Sequence, residues 1–229
     1  MKKKAKKKRI KLKSVLLFFL VIGIIALIIF LYRLLPIKNI YVIGNNILNE
    51  QEIIDEAGIG DYPKIYEVSK EKIKNSLLKN ELINNVRVSI TILGKVTIEV
   101  DENVILYQNS SGEYTMSNGK NVVLKNAVLE VPTLINDIDD DVKEKFIDKF
   151  LLVDKSIMLK ISEIEYAKTE LDAERFLFYM NDGNYVYVTL SKMSLINSYN
   201  EIYPTLGDKK GILYLDSGNH FVIKKEINS

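Results

Sequence analysis

Nineteen residues in a row carry no charge, from Ser14 to Tyr32 (SVLLFFLVIGIIALIIFLY). They follow a head, MKKKAKKKRIKLK, in which nine of thirteen residues are basic. At about 1.5 Å rise per residue a helix of that run is roughly 28 Å long, close to the hydrocarbon thickness of a bilayer. The positive-inside rule keeps the Lys/Arg head in the cytoplasm and sends the rest across. The expectation is a single-pass membrane protein of type II: a basic cytoplasmic head at 1–13, a transmembrane helix at 14–35, and most of the chain outside the cytoplasm.

A secretory signal peptide also pairs a basic start with an apolar core, but its core runs about 7–15 residues and ends on small residues at a cleavage site. Here Tyr32-Arg33-Leu34-Leu35-Pro36 follows a longer run with nothing resembling Ala-x-Ala, which favours an uncleaved anchor. Pro36 stops the helix, since proline clashes with a continuing turn. Within the uncharged run Ser14–Tyr32 nothing polar lies beyond its two end residues, so it reads as an anchor rather than a pathway or relay. The chain has 32 basic and 30 acidic residues, and without the nine of the head the remainder is near −7. That acidic remainder lacks the basic surface expected for nucleic acid. A polybasic head beside a span instead favours anionic lipid headgroups. With no cysteine in the chain, neither disulfides nor thiolate metal sites are available. A domain of this size can build its own apolar core without them.

Residues 36–102 read as one unit of order strand–helix–helix–strand–strand. Ile37 to Ile43 forms a short strand stopped by Gly44-Asn45-Asn46. Asn49 caps a helix with Ile53, Ile54 and Ala57 on one face and Gly58 at its end. Ser69 caps a second, with Ile73, Leu77 and Leu78 at helical spacing. Val86, Val88, Ile90 and Ile92 then alternate with polar residues. After Leu93-Gly94, Val96, Ile98 and Val100 do the same, giving a β-hairpin with one apolar face.

These segments, IKNIYVIGNN…NEQEIIDEAGI and IKNSLLKNELINNVRVSITILGKVTIEVDE, behind a basic head and one span, resemble the bacterial cell-division family FtsQ/DivIB. The matching residues include Val42, Gly44, Asn45 and the run from Val86 to Ile92. The resemblance implies that 36–102 is a POTRA (polypeptide-transport-associated) domain. Two departures stand out: Leu93-Gly94 where the family usually has proline and asparagine near the turn, and Glu102-Asn103 where it has Glu-Arg or Glu-Lys.

The resemblance continues through 103–224 as a mixed β domain with flanking helices, before a short tail at 225–229; the fold class expected is α+β. Val104 to Tyr107 begins a strand, and Ser110-Ser111-Gly112 and Asn118-Gly119 mark turns. Val131-Pro132-Thr133-Leu134 precedes a helix expected from Asp140 to Leu159 that buries Val142, Phe146, Phe150 and Ile157. Asn181-Asp182-Gly183-Asn184 joins two β-rich runs as a hairpin. Ser191 caps a helix reaching Tyr203 before Pro204, and two extended pieces close the domain, Gly211–Asp216 and His220–Lys224.

No catalytic, cofactor or metal set emerges. The single histidine, His220, cannot build a multi-histidine metal site, and it reads as a surface strand residue. There is no thiol, and neither a Gly-x-Ser-x-Gly elbow nor a Ser-x-x-Lys motif at a plausible site. The acidic run Asp137, Asp139, Asp140, Asp141 fails as a calcium loop. Counted from Asp137, the sixth position is Val142 rather than glycine and the twelfth Asp148 rather than glutamate. Carboxylates favouring the start of the next helix explain it better. The 13 tyrosines sit largely in alternating strands, where aromatics pack across pairs.

The expectation is therefore a non-enzymatic, cofactor-free scaffold. By the resemblance it would act in the divisome at the septum, partnering FtsL and DivIC/FtsB, with the septal peptidoglycan synthase as a further candidate. The rival classes are another POTRA-bearing export or assembly component and a membrane-anchored cell-wall enzyme. Partner contact is expected at Tyr214, Leu215, Asp216, Phe221, Val222 and Ile223, in the family's terminal segment. Alternation puts Leu213 and Leu215 on one face, with Tyr214 and Asp216 on the other. Phe221 and Ile223 share a face opposite His220, Val222 and Lys224. The Val222 N–H is the expected edge donor.

Overall fold

The computed structural model describes residues 12–124, 129–207 and 209–224. The head before Leu12 and the tail at 225–229 lie outside the described residues. The chain divides into two compact units between Glu102 and Asn103.

The first unit opens with helix α1 (Leu12–Arg33), 22 residues with none buried, long and apolar enough to cross a membrane. Strand β1 (Asn39–Ile43), helices α2 (Glu50–Glu56) and α3 (Lys70–Leu77), and strands β2 (Ile83–Ile90) and β3 (Lys95–Glu102) follow. The sheet order is β1-β3-β2, with β1 parallel to β3 and β2 antiparallel to it. Asn49 accepts the Glu52 N–H at 2.9 Å while the Glu52 carboxylate takes the Asn49 N–H at 3.1 Å, a complete capping box. Ser69 caps α3 through the Lys72 N–H. Ile53, Ile73 and Leu77 pack on Val86, Val96, Ile98 and Val100, the alternating face of the hairpin. Gly44 stands at φ +89 against the Val100 carbonyl, where any Cβ would collide. Just beyond it, the Glu102 carboxylate accepts the N–H groups of Asn46, Ile47 and Leu48 at 2.8–3.0 Å and so closes the loop leaving β1.

Three expectations for this unit are corrected. The first strand begins at Asn39, not Ile37, whose N–H goes instead to the Pro63 carbonyl at 2.9 Å. Strand β2 ends at Ile90, so Ile92 lies in the turn and is 76% exposed. Leu78 sits past the last turn of α3 and is 40% exposed.

The second unit is a nine-stranded sheet in the order β12-β11-β10-β9-β8-β7-β4-β5-β6. Its strands are β4 (Ile105–Gln108), β5 (Tyr114–Met116), β6 (Asn121–Val122), β7 (Thr133–Leu134), β8 (Ile161–Tyr166), β9 (Arg175–Met180), β10 (Tyr185–Thr189), β11 (Gly211–Tyr214) and β12 (His220–Ile223). Helices α4 (Asp140–Phe150), α5 (Lys155–Met158) and α6 (Tyr199–Leu206), with a 3-10 stretch Leu190–Ser198, complete it. The core centres on Phe146, whose ring lies 4.4 Å from Phe176, 5.2 Å from Phe150 and 5.8 Å from Tyr107.

The expected helix from Asp140 to Leu159 is two helices. The chain turns at Leu151–Val153, and Asn197 accepts the Asp154 N–H at 2.9 Å, restarting the chain as α5. Val142, Phe146, Phe150 and Ile157 are buried as expected. The helix expected from Ser191 is instead the 3-10 stretch and then α6, which runs through Pro204. The bond this proline forfeits would have gone to the carbonyl of Asn200, an exposed residue that water can serve. Strand β8, the middle strand of the sheet, has no counterpart in the sequence reading.

Candidate partner-binding edge

Among the described residues the sheet order leaves β12 and β6 as edges. Edge β6 is two residues long, whereas β12 has four and presents Val222 and Ile223 at 47% and 50% exposure. Unpaired N–H and C=O groups along such an edge are a template for a further strand.

The phase of the ladder decides which groups are free. The Lys224 N–H donates to the Lys210 carbonyl at 2.9 Å. Opposed residues of an antiparallel pair alternate between exchanging both backbone bonds and exchanging none. Ile212 and Val222 are therefore a bonded pair, while Phe221 opposite Leu213 and Ile223 opposite Gly211 are not. The N–H and C=O of Phe221 and Ile223 point out of the sheet, and the Val222 N–H points inward. The expectation that Val222 is the free donor is corrected by one residue on each side.

A buried polar chain holds this end of the sheet. In the Asp182-Gly183-Asn184 turn, Asn184 is 1% exposed. Its side chain accepts the Gly211 N–H at 2.9 Å and donates to the Tyr199 hydroxyl at 3.1 Å. Tyr199 in turn donates to the Asp182 carboxylate at 2.7 Å. Burial, and then the Asp182 bond, push the Tyr199 hydroxyl well above the ordinary tyrosine range. Gly211 has no room for a side chain: a Cβ there would strike the Val222 carbonyl and approach the Phe221 ring to 2.8 Å.

Across the outer face runs a stacked row. The Arg175 guanidinium lies 3.6 Å from the Tyr187 ring centre, Tyr187 stacks on Tyr214 at 5.4 Å, and Tyr214 on His220 at 4.9 Å. Arg175 also bonds Asp216 at 2.7 Å, with side chains 19% and 9% exposed. Burial raises the Asp216 carboxyl, but the bonds from Arg175 and Ser217 outweigh it and leave the group below its ordinary value. Two expected contact residues are thus engaged within the domain. Asp216 is committed to Arg175, and Leu215, 3% exposed, belongs to the core. Phe221 packs half-buried against that core, Tyr214 is half-buried in the stacked row, and Val222 and Ile223 are open.

Sequence reasoning missed Tyr185, Tyr187 and Ile212 on this face. The alternation Tyr185-Val186-Tyr187-Val188 carried the signal for the first two, since period two sends both tyrosines to the side opposite the valines. Among the described residues no group of three His, Asp or Glu side chains is arranged to hold a metal ion. Asp139, from the acidic run, is tied to Lys168 at 2.6 Å and to the Tyr166 hydroxyl at 3.1 Å; Lys168 first, against a lesser effect of burial, holds its carboxyl below the usual value.

The described residues thus make up an apolar helix long enough to cross a membrane, a small β-α-α-β-β domain and a larger mixed β domain. Residues 35–103 match the model of the POTRA domain, FtsQ-type. The chain is 30% identical to cell division protein DivIB of Listeria monocytogenes and 27% to that of Bacillus subtilis. Each alignment covers 96% of this chain and 85% of the relative. The solved major extracytoplasmic domain of the trans isomer of DivIB from Geobacillus stearothermophilus aligns over 47% of this chain and 96% of its own, at 19% identity and a TM-score of 0.39. This chain belongs to the DivIB family of cell division proteins.

Proposed function

We propose that this protein is a non-enzymatic scaffold of the division complex, anchored once in the cell membrane at the septum with its N-terminus cytoplasmic. Its exported domains gather the membrane proteins that control septal peptidoglycan synthesis. Partners of FtsL and DivIC/FtsB type are those the family resemblance implies. The observation that carries the reading is the open β12 edge, with outward backbone groups at Phe221 and Ile223 beside exposed Val222. A partner segment extending the sheet there would gain main-chain bonds for affinity and apolar contacts for selectivity. Anchoring both proteins in one membrane raises their effective concentration, so a modest edge contact suffices.

Proline discriminates between the two kinds of backbone group. At Ile223 it removes an outward N–H and blocks an incoming strand without breaking a bond to β11. Ile223→Pro is expected to keep the melting temperature of the domain and weaken capture of a DivIC-type partner about tenfold, or about 1.4 kcal/mol. Undiminished capture by folded Ile223→Pro would rule out pairing at this edge.

A further inference from the structure

The first domain follows the apolar helix without a linker. The Ile65 N–H donates to the Leu35 carbonyl at 2.9 Å, the Ile37 N–H to Pro63 at 2.9 Å and the Lys38 N–H to Gly94 at 2.8 Å. Residues 35–38, the 63–65 loop and the β2–β3 turn are thereby held together where the chain leaves α1. Because β1 and β3 run parallel with Asn39 opposite Lys95, the turn lies at the end of the sheet by which the chain enters from the helix.

That turn is unusual in composition. Solvent-facing turns favour glycine, asparagine, aspartate and serine, yet here Ile92 and Leu93 are adjacent and 76% and 80% exposed. Following the bonded 63–65 loop, Tyr66 is 47% exposed, with Arg33 at 5.8 Å and Lys64 at 5.9 Å from its ring centre. Arg33 and Lys64 at Tyr66, with Lys38 bonded to the turn at Gly94, give this end its basic side chains, while the Lys95 ammonium lies 4.4 Å from the Tyr41 ring centre. Aliphatic tips flanked by tyrosine and basic side chains are the chemistry of a bilayer interface, where rings sit at headgroup level and cations meet lipid phosphates.

We infer that this end of the first domain is a second membrane contact, with Ile92 and Leu93 inserted into the outer headgroup boundary and the basic side chains on lipid phosphates. The inference rests on the proposed reading of α1 as a membrane span. Its effect is to hold the domain against the bilayer at a fixed height.

The absence of cysteine allows a single label at any site. Full-length Leu93→Cys, Ile28→Cys and Lys79→Cys, each carrying an environment-sensitive fluorophore, would be reconstituted alone into anionic vesicles with brominated acyl chains. Lys79 follows α3 near the start of β2, at the opposite end of the sheet, and serves as the water-exposed reference. The expected result is blue-shifted emission at Leu93, quenched several-fold more than at Lys79 and most by bromines near the headgroup. Ile28 should be quenched most by deep bromines, and Ile92→Cys should behave as Leu93→Cys does. Quenching at Leu93 no greater than at Lys79, with Ile28 quenched, would overturn the inference and leave the anchor standing, pointing to a protein partner for this end. An unquenched Ile28 would overturn the anchor and the inference together.

Discussion

The two units solve sheet assembly in opposite ways. In the first, each element declares itself locally: a capping box at Asn49, a capped helix at Ser69, and a hairpin whose β3 face alternates Val96, Ile98, Val100 without interruption. In the second, order comes from contacts far apart in sequence, such as Asn184 on Gly211, Arg175 on Asp216, and Asn197 on Asp154. Both sheets carry polar ties between distant segments, Glu102 on residues 46–48 among them in the first, but only in the small sheet do local signals also mark nearly every element.

Three perturbations test that contrast, the strongest first. Phe146→Ala removes the centre of the second unit's aromatic cluster, and is expected to cost about 3–5 kcal/mol there. The first unit's unfolding transition should stay in place, as read by calorimetry. Movement of both transitions together would show that the units do not melt independently. Glu102→Ala strips the acceptor from three backbone N–H groups of one loop. A loss of about 1.5–3 kcal/mol confined to the first unit is expected, since bonds to a charged acceptor are among the stronger ones.

The third perturbation is alkaline pH. Burial first raises Tyr166, and the Glu165 bond first raises Tyr179, from 10.0 to about 12 in each case, with Tyr199 raised further. A group whose folded pKa exceeds its unfolded one stabilises the fold fully below the unfolded value, and that stabilisation is lost as pH climbs through the folded value. The second unit's melting temperature should therefore fall between pH 10 and 12. In the first unit Tyr66 is raised too, chiefly by its bond to Glu67, but it lies on the surface, and a smaller fall is expected there. Equal falls would remove the tyrosine network as the distinguishing tie.

The same contrast explains what could be read from the sequence. The strand–helix–helix–strand–strand order, both helix caps and the Asp182-Gly183 turn follow from short-range rules, and the structure has them. Strand β8 escaped because a bulge between Ile161 and Glu163 breaks its alternation, putting Ile161, Ile164 and Tyr166 inward at uneven spacing. The break after Phe150 escaped because apolar Leu151, Leu152 and Val153 continue the chain without a glycine or proline to mark it. At the candidate edge, alternation along Gly211–Asp216 was legible, as was the pairing of Phe221 with Ile223. The direction of each N–H was not, because it depends on the register with β11, a tertiary fact. For the same reason Leu215 and Asp216 read as contact residues although the fold engages both.

Amide hydrogen exchange resolved to single residues tests the edge most directly. In the free protein, Val222 and Lys224 should be protected by their bonds to Ile212 and Lys210, while Phe221 and Ile223 exchange quickly. On adding a purified DivIC-type partner, Phe221 and Ile223 should become protected, with Val222 and Lys224 changed little. Partner binding that leaves the Phe221 and Ile223 amides exchanging as fast as before would contradict the account.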